Sequence, residues 1–179
     1  LIIMIATPLS ARAGLTFNFS PVVTAGLPSD ATFTYQGVAL SAKGKLSFGF
    51  GALMGPRFSS FWGIETGVIY QQRNYTETGE FAGFPISLDV SAPALHLPLG
   101  LRIYLGSFLS LQAGAFYESS SESESSSNYG VQGGVRFSLP LTQRLALFAE
   151  ARHNRGMKDQ GGFKVSDVGF ALAGITLSK

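Results

Sequence analysis

Apolar side chains alternate with small or polar ones in about eight segments between Leu15 and Leu177. Successive side chains of a strand point to opposite faces, so a two-residue period marks strands with one apolar and one polar face. From Leu95 onward, Leu95, Leu97, Leu99, Leu101, Ile103 and Leu105 share one face, while His96, Pro98, Gly100, Arg102 and Tyr104 share the other. Alternation and turn signals together predict strands over 15–24, 43–54, 61–75, 87–105, 108–119, 128–140, 144–156 and 165–177. The connections 55–60, 106–107 and 141–143 are short, whereas 25–42, 76–86, 120–127 and 157–164 are longer and more polar. The pattern predicts an all-β protein: an eight-stranded antiparallel up-and-down transmembrane β-barrel with short turns at one rim and long loops at the other. In outer-membrane barrels the short rim is periplasmic, which would put both termini on that side.

Alternation does not say which face is inside, since a soluble lipocalin-like barrel would turn the same apolar positions inward. Composition changes the balance. Only 13% of the residues are charged, with 22 Gly and 15 Phe, whereas soluble domains carry roughly 25% charge and display much of it on the exterior. No segment after the N-terminus reaches the roughly 18 consecutive apolar residues of a membrane helix, so a membrane-spanning backbone here must close as a barrel. Residues 1–13, LIIMIATPLSARA, read as a signal-peptide remnant with Ala11-Arg12-Ala13 as an AxA-type cleavage site, leaving 14–179 as the barrel domain. The alternative is a first apolar strand. A net charge of +2, without a basic helix or an aromatic nucleic-acid motif, gives no case for nucleic acid. The absence of Cys excludes disulfides and thiolate metal sites, and two His leave little for zinc, so no cofactor or metal is expected.

With the apolar face on lipid, the other face carries Lys45, Glu65, Arg73, His96, Arg102, Glu118, Arg136, Glu150 and Arg152 into the lumen. An eight-stranded barrel is only just wide enough for its own side chains. Charges of both signs are therefore expected to pair in a filled polar interior, with a narrow channel for small solutes as the competing reading. Pro98 lacks the N–H of a ladder rung and predicts a bulge. Aromatic girdles are expected from Phe58, Phe61, Trp62, Tyr104 and Phe108 near the short turns, and from Tyr70, Tyr75, Tyr117 and Tyr129 near the loops.

At the loop rim, Lys43, Arg155, Lys158 and Lys164 have the charge to contact lipopolysaccharide phosphates, against the plainer reading of a solvated rim. The run ESSSESESSSN over 118–128 reads as an acidic, low-complexity loop tip. His153, on the outward face, opens a further alternative, a lipid-modifying enzyme with a Ser–His–Glu set in the barrel wall. No serine stands at a short spacing from it.

The stretches ETGVIYQQR (65–73), HLPLGLRIYLG (96–106) and SLQAGAFYE (110–118), in that order, resemble the PorT-like outer-membrane β-barrel family over about residues 14–177. That resemblance implies a small barrel in the outer membrane of a Gram-negative bacterium and no catalytic residues. From the alternation, the loop asymmetry and the signal-like start, the protein is expected to have a structural or interaction role through extracellular loops and lipid contacts. Its partners would be outer-membrane lipid, lipopolysaccharide and the barrel assembly machinery during insertion. Two positions depart from the pattern: His96-Leu97-Pro98 stands where an acidic residue often precedes the proline, and Lys179 stands where many barrels have a terminal aromatic residue.

Overall fold

The structure, a computed structural model, describes residues 15–35, 38–81, 84–120, 127–157, 159–160, 163–164 and 168–179. The strands are β1 (Thr16–Pro28), β2 (Ala31–Tyr35), β3 (Val38–Arg57), β4 (Trp62–Phe81), β5 (Phe84–Leu105), β6 (Leu109–Ser120), β7 (Ser127–Pro140), β8 (Leu145–Gly156), β9 (Asp159–Gln160), β10 (Phe163–Lys164) and β11 (Val168–Ser178). Eight of them close a ring in the order β1-β11-β8-β7-β6-β5-β4-β3, because β1 pairs with β11 through Asn18↔Ser178 and with β3 through Thr16↔Arg57. All pairings are antiparallel, β2 adds to β3 beyond the end of β1, and β9 pairs with β10. Closure leaves the ring without a free edge, so ladder groups there are met on both sides, whereas β5 from Phe84 to Pro93 is paired with β4 on one side.

The outside of the wall is apolar: Val23, Phe48, Phe50, Ile64, Val68, Leu95, Leu99, Leu101, Leu111, Val135 and Leu147 are exposed, while Glu65, Gln71, Arg73, His96, Arg102, Gln112, Arg136 and Glu150 are buried. This is the inverse of a soluble barrel. The leucine face of β5 is outer wall and not the lining of a ligand cavity. The inside is not uniformly polar, however. Val22, Leu53, Ile69, Phe148, Val168, Phe170 and Leu172 form one buried apolar cluster, centred on β1, β3 and β11.

Short turns close one rim, each tied by local bonds. Arg57 donates from Nε to Ser59 O (2.9 Å) and from Nη2 to Ser60 O (2.7 Å), and Ser59 Oγ accepts from the Phe61 and Trp62 amides. Thr142 Oγ1 accepts from the amides of Arg144 and Leu145. Such hydroxyl-to-backbone bonds are a common reason for Ser and Thr in turns. Gly106, between β5 and β6, has φ +87°, a conformation that glycine adopts without a Cβ penalty.

The opposite rim differs from the expected long loops. Most of 25–42 and 76–86 is strand, so β3, β4 and β5 run for 20, 20 and 22 residues, against 12, 14, 12 and 11 for β6, β7, β8 and β11. The β4–β5 register holds without a slip from Trp62↔Ile103 to Phe81↔Phe84. Polar composition suggests loop, but Thr, Tyr, Val and Ile at alternate positions are compatible with a solvated hairpin.

A bulge sets the height of the apolar band. Lys45 pairs with Asn74 and Phe48 with Gln72, so Leu46 and Ser47 stand opposite the single residue Arg73. The Asn74 amide donates to Ser47 Oγ and Asn74 Nδ2 to Leu46 O, both at 3.0 Å. Above this level the outward face of the wall turns polar through Lys43, Lys45, Asn74, Thr76, Asp89 and Ser91, while Phe84, Ile86 and Leu88 fall on the face continuous with the lumen. No bulge occurs at Pro98: Thr66↔Leu99 and Ile69↔His96 flank it in the same register. The missing N–H is accommodated without an inserted residue, and Thr66 Oγ1 donates to Pro98 O at 2.9 Å.

Candidate functional site in the barrel lumen

Strand parity brings five charged side chains to one level of the lumen. Glu65 comes from β4, Arg102 from β5, Arg136 from β7, and Glu150 and Arg152 from one face of β8; Arg136 and Glu150 are also direct cross-strand partners. Arg102 grips Glu65 with two nitrogens, Nη2 to Oε1 at 2.7 Å and Nε to Oε2 at 3.0 Å, and its Nη2 also reaches Glu150 Oε2 at 2.9 Å. Arg136 bonds Glu150 through Nε at 2.7 Å and Glu65 through Nη2 at 2.8 Å. From the third side, Arg152 Nη2 donates to Glu65 Oε1 at 2.9 Å and Glu150 Oε1 at 2.6 Å.

Each carboxylate thus meets the same three guanidiniums. Forked, charge-assisted pairs of this kind have strong directional preferences, so the cluster holds its strands in a defined arrangement. Arg102 Nη1 also donates to Ser110 Oγ at 3.0 Å, and the Arg136 guanidinium lies 3.9 Å from the centre of the Phe148 ring. The opposing glycines Gly100 and Gly114 leave room beside the cluster: a Cβ on Gly100 would lie 2.2 Å from Gln112 Nε2, and one on Gly114 would lie 2.4 Å from Gly100 Cα.

A second group lies nearer the loop rim. Arg73 is ion-paired with Glu118, and His96, the cross-strand partner of Glu118, places Nδ1 3.6 Å from that carboxylate. That distance is too long for a direct hydrogen bond. The His96 ring packs against Phe116 and Phe170 at centroid distances of 5.0 and 5.8 Å, and its Nε2 is 3.4 Å from Asn154 Nδ2.

Of the nine residues expected in the lumen, Glu65, Arg102, Arg136, Glu150 and Arg152 lie in the first group and Arg73, His96 and Glu118 in the second. Lys45 lies outside both. The bulge places it on the outer face, where Nζ bonds Asp89 Oδ1 at 2.7 Å with 46% of its side chain exposed. Thr76 Oγ1 also donates to Asp89. These contacts hold the Asp89 carboxyl below its ordinary pKa, the Lys45 bond being the largest cause.

At the loop rim, Lys43 and Arg155 are both exposed but belong to β3 and β8, which β1 and β11 separate. Lys164 is on β10, paired with Asp159, and Lys158 lies outside the described residues. The signal-like segment 1–13 does too, as does most of the acidic run, 121–126. His153 faces outward between Gly133 and Gly169, and neither neighbour can serve as a nucleophile.

The expected girdles are met only in part. Phe58, Phe61, Trp62 and Phe108 are exposed at the short-turn end, as are Tyr70, Tyr117 and Tyr129 toward the loops. Tyr104 instead has lumen parity and lies under Arg57, whose Cζ is 4.0 Å from the ring centre. Tyr75 falls on the inner face of the β4–β5 hairpin.

A cavity of about 190 Å³ opens at the short-turn rim and reaches one member of the charged cluster, Arg136, with Ser110 also on its wall and Arg57, Tyr104 and Arg144 nearer the mouth. The readable signals for this feature were Arg57 in the short connection 55–60, Arg144 just after the connection 141–143, and the lumen parity of Tyr104.

No protein-family model matches the chain, and no curated protein matches it in sequence. Solved structures share its architecture. The outer membrane protein OprG from Pseudomonas aeruginosa superposes with a TM-score of 0.67 at 13% identity, over 92% of this chain and 95% of that one. Ail, the attachment invasion locus protein of Yersinia pestis, in complex with the heparin analogue sucrose octasulfate, gives 0.53 at 15% identity, over 91% and 99%. The fold is that of the eight-stranded outer-membrane β-barrels.

Proposed function

We propose that the protein is a non-enzymatic barrel of the outer membrane, with its short turns and termini in the periplasm. Its lumen is closed, and its work is done by the outer wall and the projecting β3–β5 surface. The observation that carries this reading is the cross-lumen cluster, in which Glu65 and Glu150 are each bonded by Arg102, Arg136 and Arg152. A solute would have to break several buried charge-assisted bonds to pass. The apolar belt contacts outer-membrane lipid, and the barrel assembly machinery inserts the chain.

Exposed Lys43 and Arg155 supply cations at the rim for lipopolysaccharide phosphates. Ail, a barrel of the same fold, has been seen with a heparin analogue, which supports polyanion binding as a use for such an exterior. Kinship with the PorT-like barrels belongs to the same reading. The segments that resemble them contain Glu65, Arg73, His96, Arg102 and Glu118, five of the interior charged or titratable residues.

The test is conductance in planar bilayers after cell fractionation and a heat-modifiability gel have established the folded outer-membrane form. Closed bilayers are expected for the wild-type chain. A steady conductance that Arg136→Gln alters in selectivity would overturn the closed reading in favour of a channel.

A further inference from the structure

We propose that the cavity at the short-turn mouth is a binding site for a small oxyanion, a phosphate or a carboxylate, held by Arg57, Arg136 and Arg144. All three arginines line the cavity, and no Asp or Glu does. Arg136, on its wall, belongs to the cluster behind it, which contains three guanidiniums and two carboxylates. The cluster therefore carries one positive charge in excess. Attraction between unlike charges is stronger in a low-dielectric interior than in water, and an anion at the mouth would offset that excess without displacing either glutamate.

The side chains around the mouth are already positioned. Arg57 is fixed by its bonds to the Ser59 and Ser60 carbonyls and by the Tyr104 ring. Tyr104 Oη accepts from Asn18 Nδ2 at 3.3 Å, and Asn18 Oδ1 accepts from Ser178 Oγ at 2.8 Å. Bonds behind the first contacts reduce the ordering cost of binding. Ser110 and Ser138 add hydroxyls to the wall, and these can donate to an oxyanion. The volume suits one small oxyanion with water, since a water occupies about 30 Å³ in the liquid.

The experiment uses the full chain folded in a zwitterionic detergent and titrated with inorganic phosphate, with acetate and with chloride at matched ionic strength. Amide chemical shifts and the thermal midpoint of the heat-modifiable form are followed. Phosphate, acetate or both should shift the amides of Ser110, Ser138 and Arg144 saturably while leaving Asp89 and Thr76, in the hairpin beyond the bulge, unmoved. Whichever of the two binds more tightly identifies the preferred oxyanion.

Arg144→Gln alters an exposed residue and should leave the fold intact; it is expected to weaken the response about tenfold, as loss of one charge-assisted bond implies. Arg57→Gln should act in the same direction, with an unchanged gel shift confirming the barrel. Equal shifts with chloride, no saturable shift with either oxyanion, or a wild-type response from Arg144→Gln would overturn the site.

Discussion

On the lumen side formed by β4, β5, β7 and β8, two glutamates sit among three arginines. On the side centred on β1, β3 and β11, Val22, Leu53, Val168, Phe170 and Leu172 pack with Ile69 and Phe148 from the flanking strands. The two regions fill the same barrel by different physics. The apolar side gains from contact and burial, and its losses scale with the volume removed. The charged side depends on completeness, because removing one member leaves a buried partner unpaired. Phe148 joins them, as a member of the apolar cluster that also underlies the Arg136 guanidinium.

The largest effect should come from Glu150→Gln, which keeps the shape but leaves three arginines around one carboxylate. Breaking a buried ion pair by removing one partner costs about 3–5 kcal/mol. Urea unfolding in lipid vesicles is expected to show a loss of that size, and a loss below about 1 kcal/mol would mean the cluster is not a structural unit. Leu53→Ala on the other side should cost roughly 2–5 kcal/mol through the cavity it leaves. Its defining feature is that the loss should stay constant between pH 5 and 8, roughly the range over which unperturbed histidine changes charge. A pH-dependent loss would show that the two regions are coupled.

Ser110→Ala sharpens the comparison by removing the hydroxyl that accepts from Arg102 Nη1 without altering either carboxylate. A cost of about 1–3 kcal/mol follows from one buried donor left unmet.

The smallest effect is expected outside the lumen, at Lys45 and Asp89. Asp89 is exposed and its carboxyl is held below the ordinary value of 3.8, first by the Lys45 bond and then by that of Thr76. A depressed carboxyl pKa contributes stability that is present above the unfolded value and is lost as pH falls through the folded one. Carbon-detected titration should therefore place the Asp89 midpoint below 3.8, and Lys45→Met should move it up toward that value. The urea midpoint at pH 7 should barely change, and added salt should diminish the Asp89 shift.

Much of this architecture was legible in the chain because strand parity is local. Leu95 through Leu105 and their polar neighbours assigned two faces, and the low charge content favoured lipid on the apolar one. The same parity put Glu65, Arg102, Arg136, Glu150 and Arg152 on the lumen side. Lys45 marks where strand parity breaks: one extra residue in β3 at Leu46–Ser47 shifts the parity above it, and nothing in a run of Lys, Ser and Gly announces that insertion. The tall hairpin was missed for a related reason. Its β4 arm is mostly polar, and the apolar residues of its β5 arm, Phe84, Ile86 and Leu88, alternate in the parity opposite to that of Leu95 through Leu105. Pro98 was overread, since a missing N–H interrupts a rung without requiring an inserted residue.

The sequence by itself determined that the chain makes amphipathic strands, that their number suits a small barrel, and that the charged positions share a face with glycines. Which charges meet was decided only by closure. Glu65 and Arg152 are 87 positions apart and become partners because β4 and β8 lie across one narrow lumen. The split between charged and apolar sides, the excess guanidinium and the cationic mouth likewise arise from ring order and register. They depend on distances between strands, and a one-dimensional pattern contains no such distances.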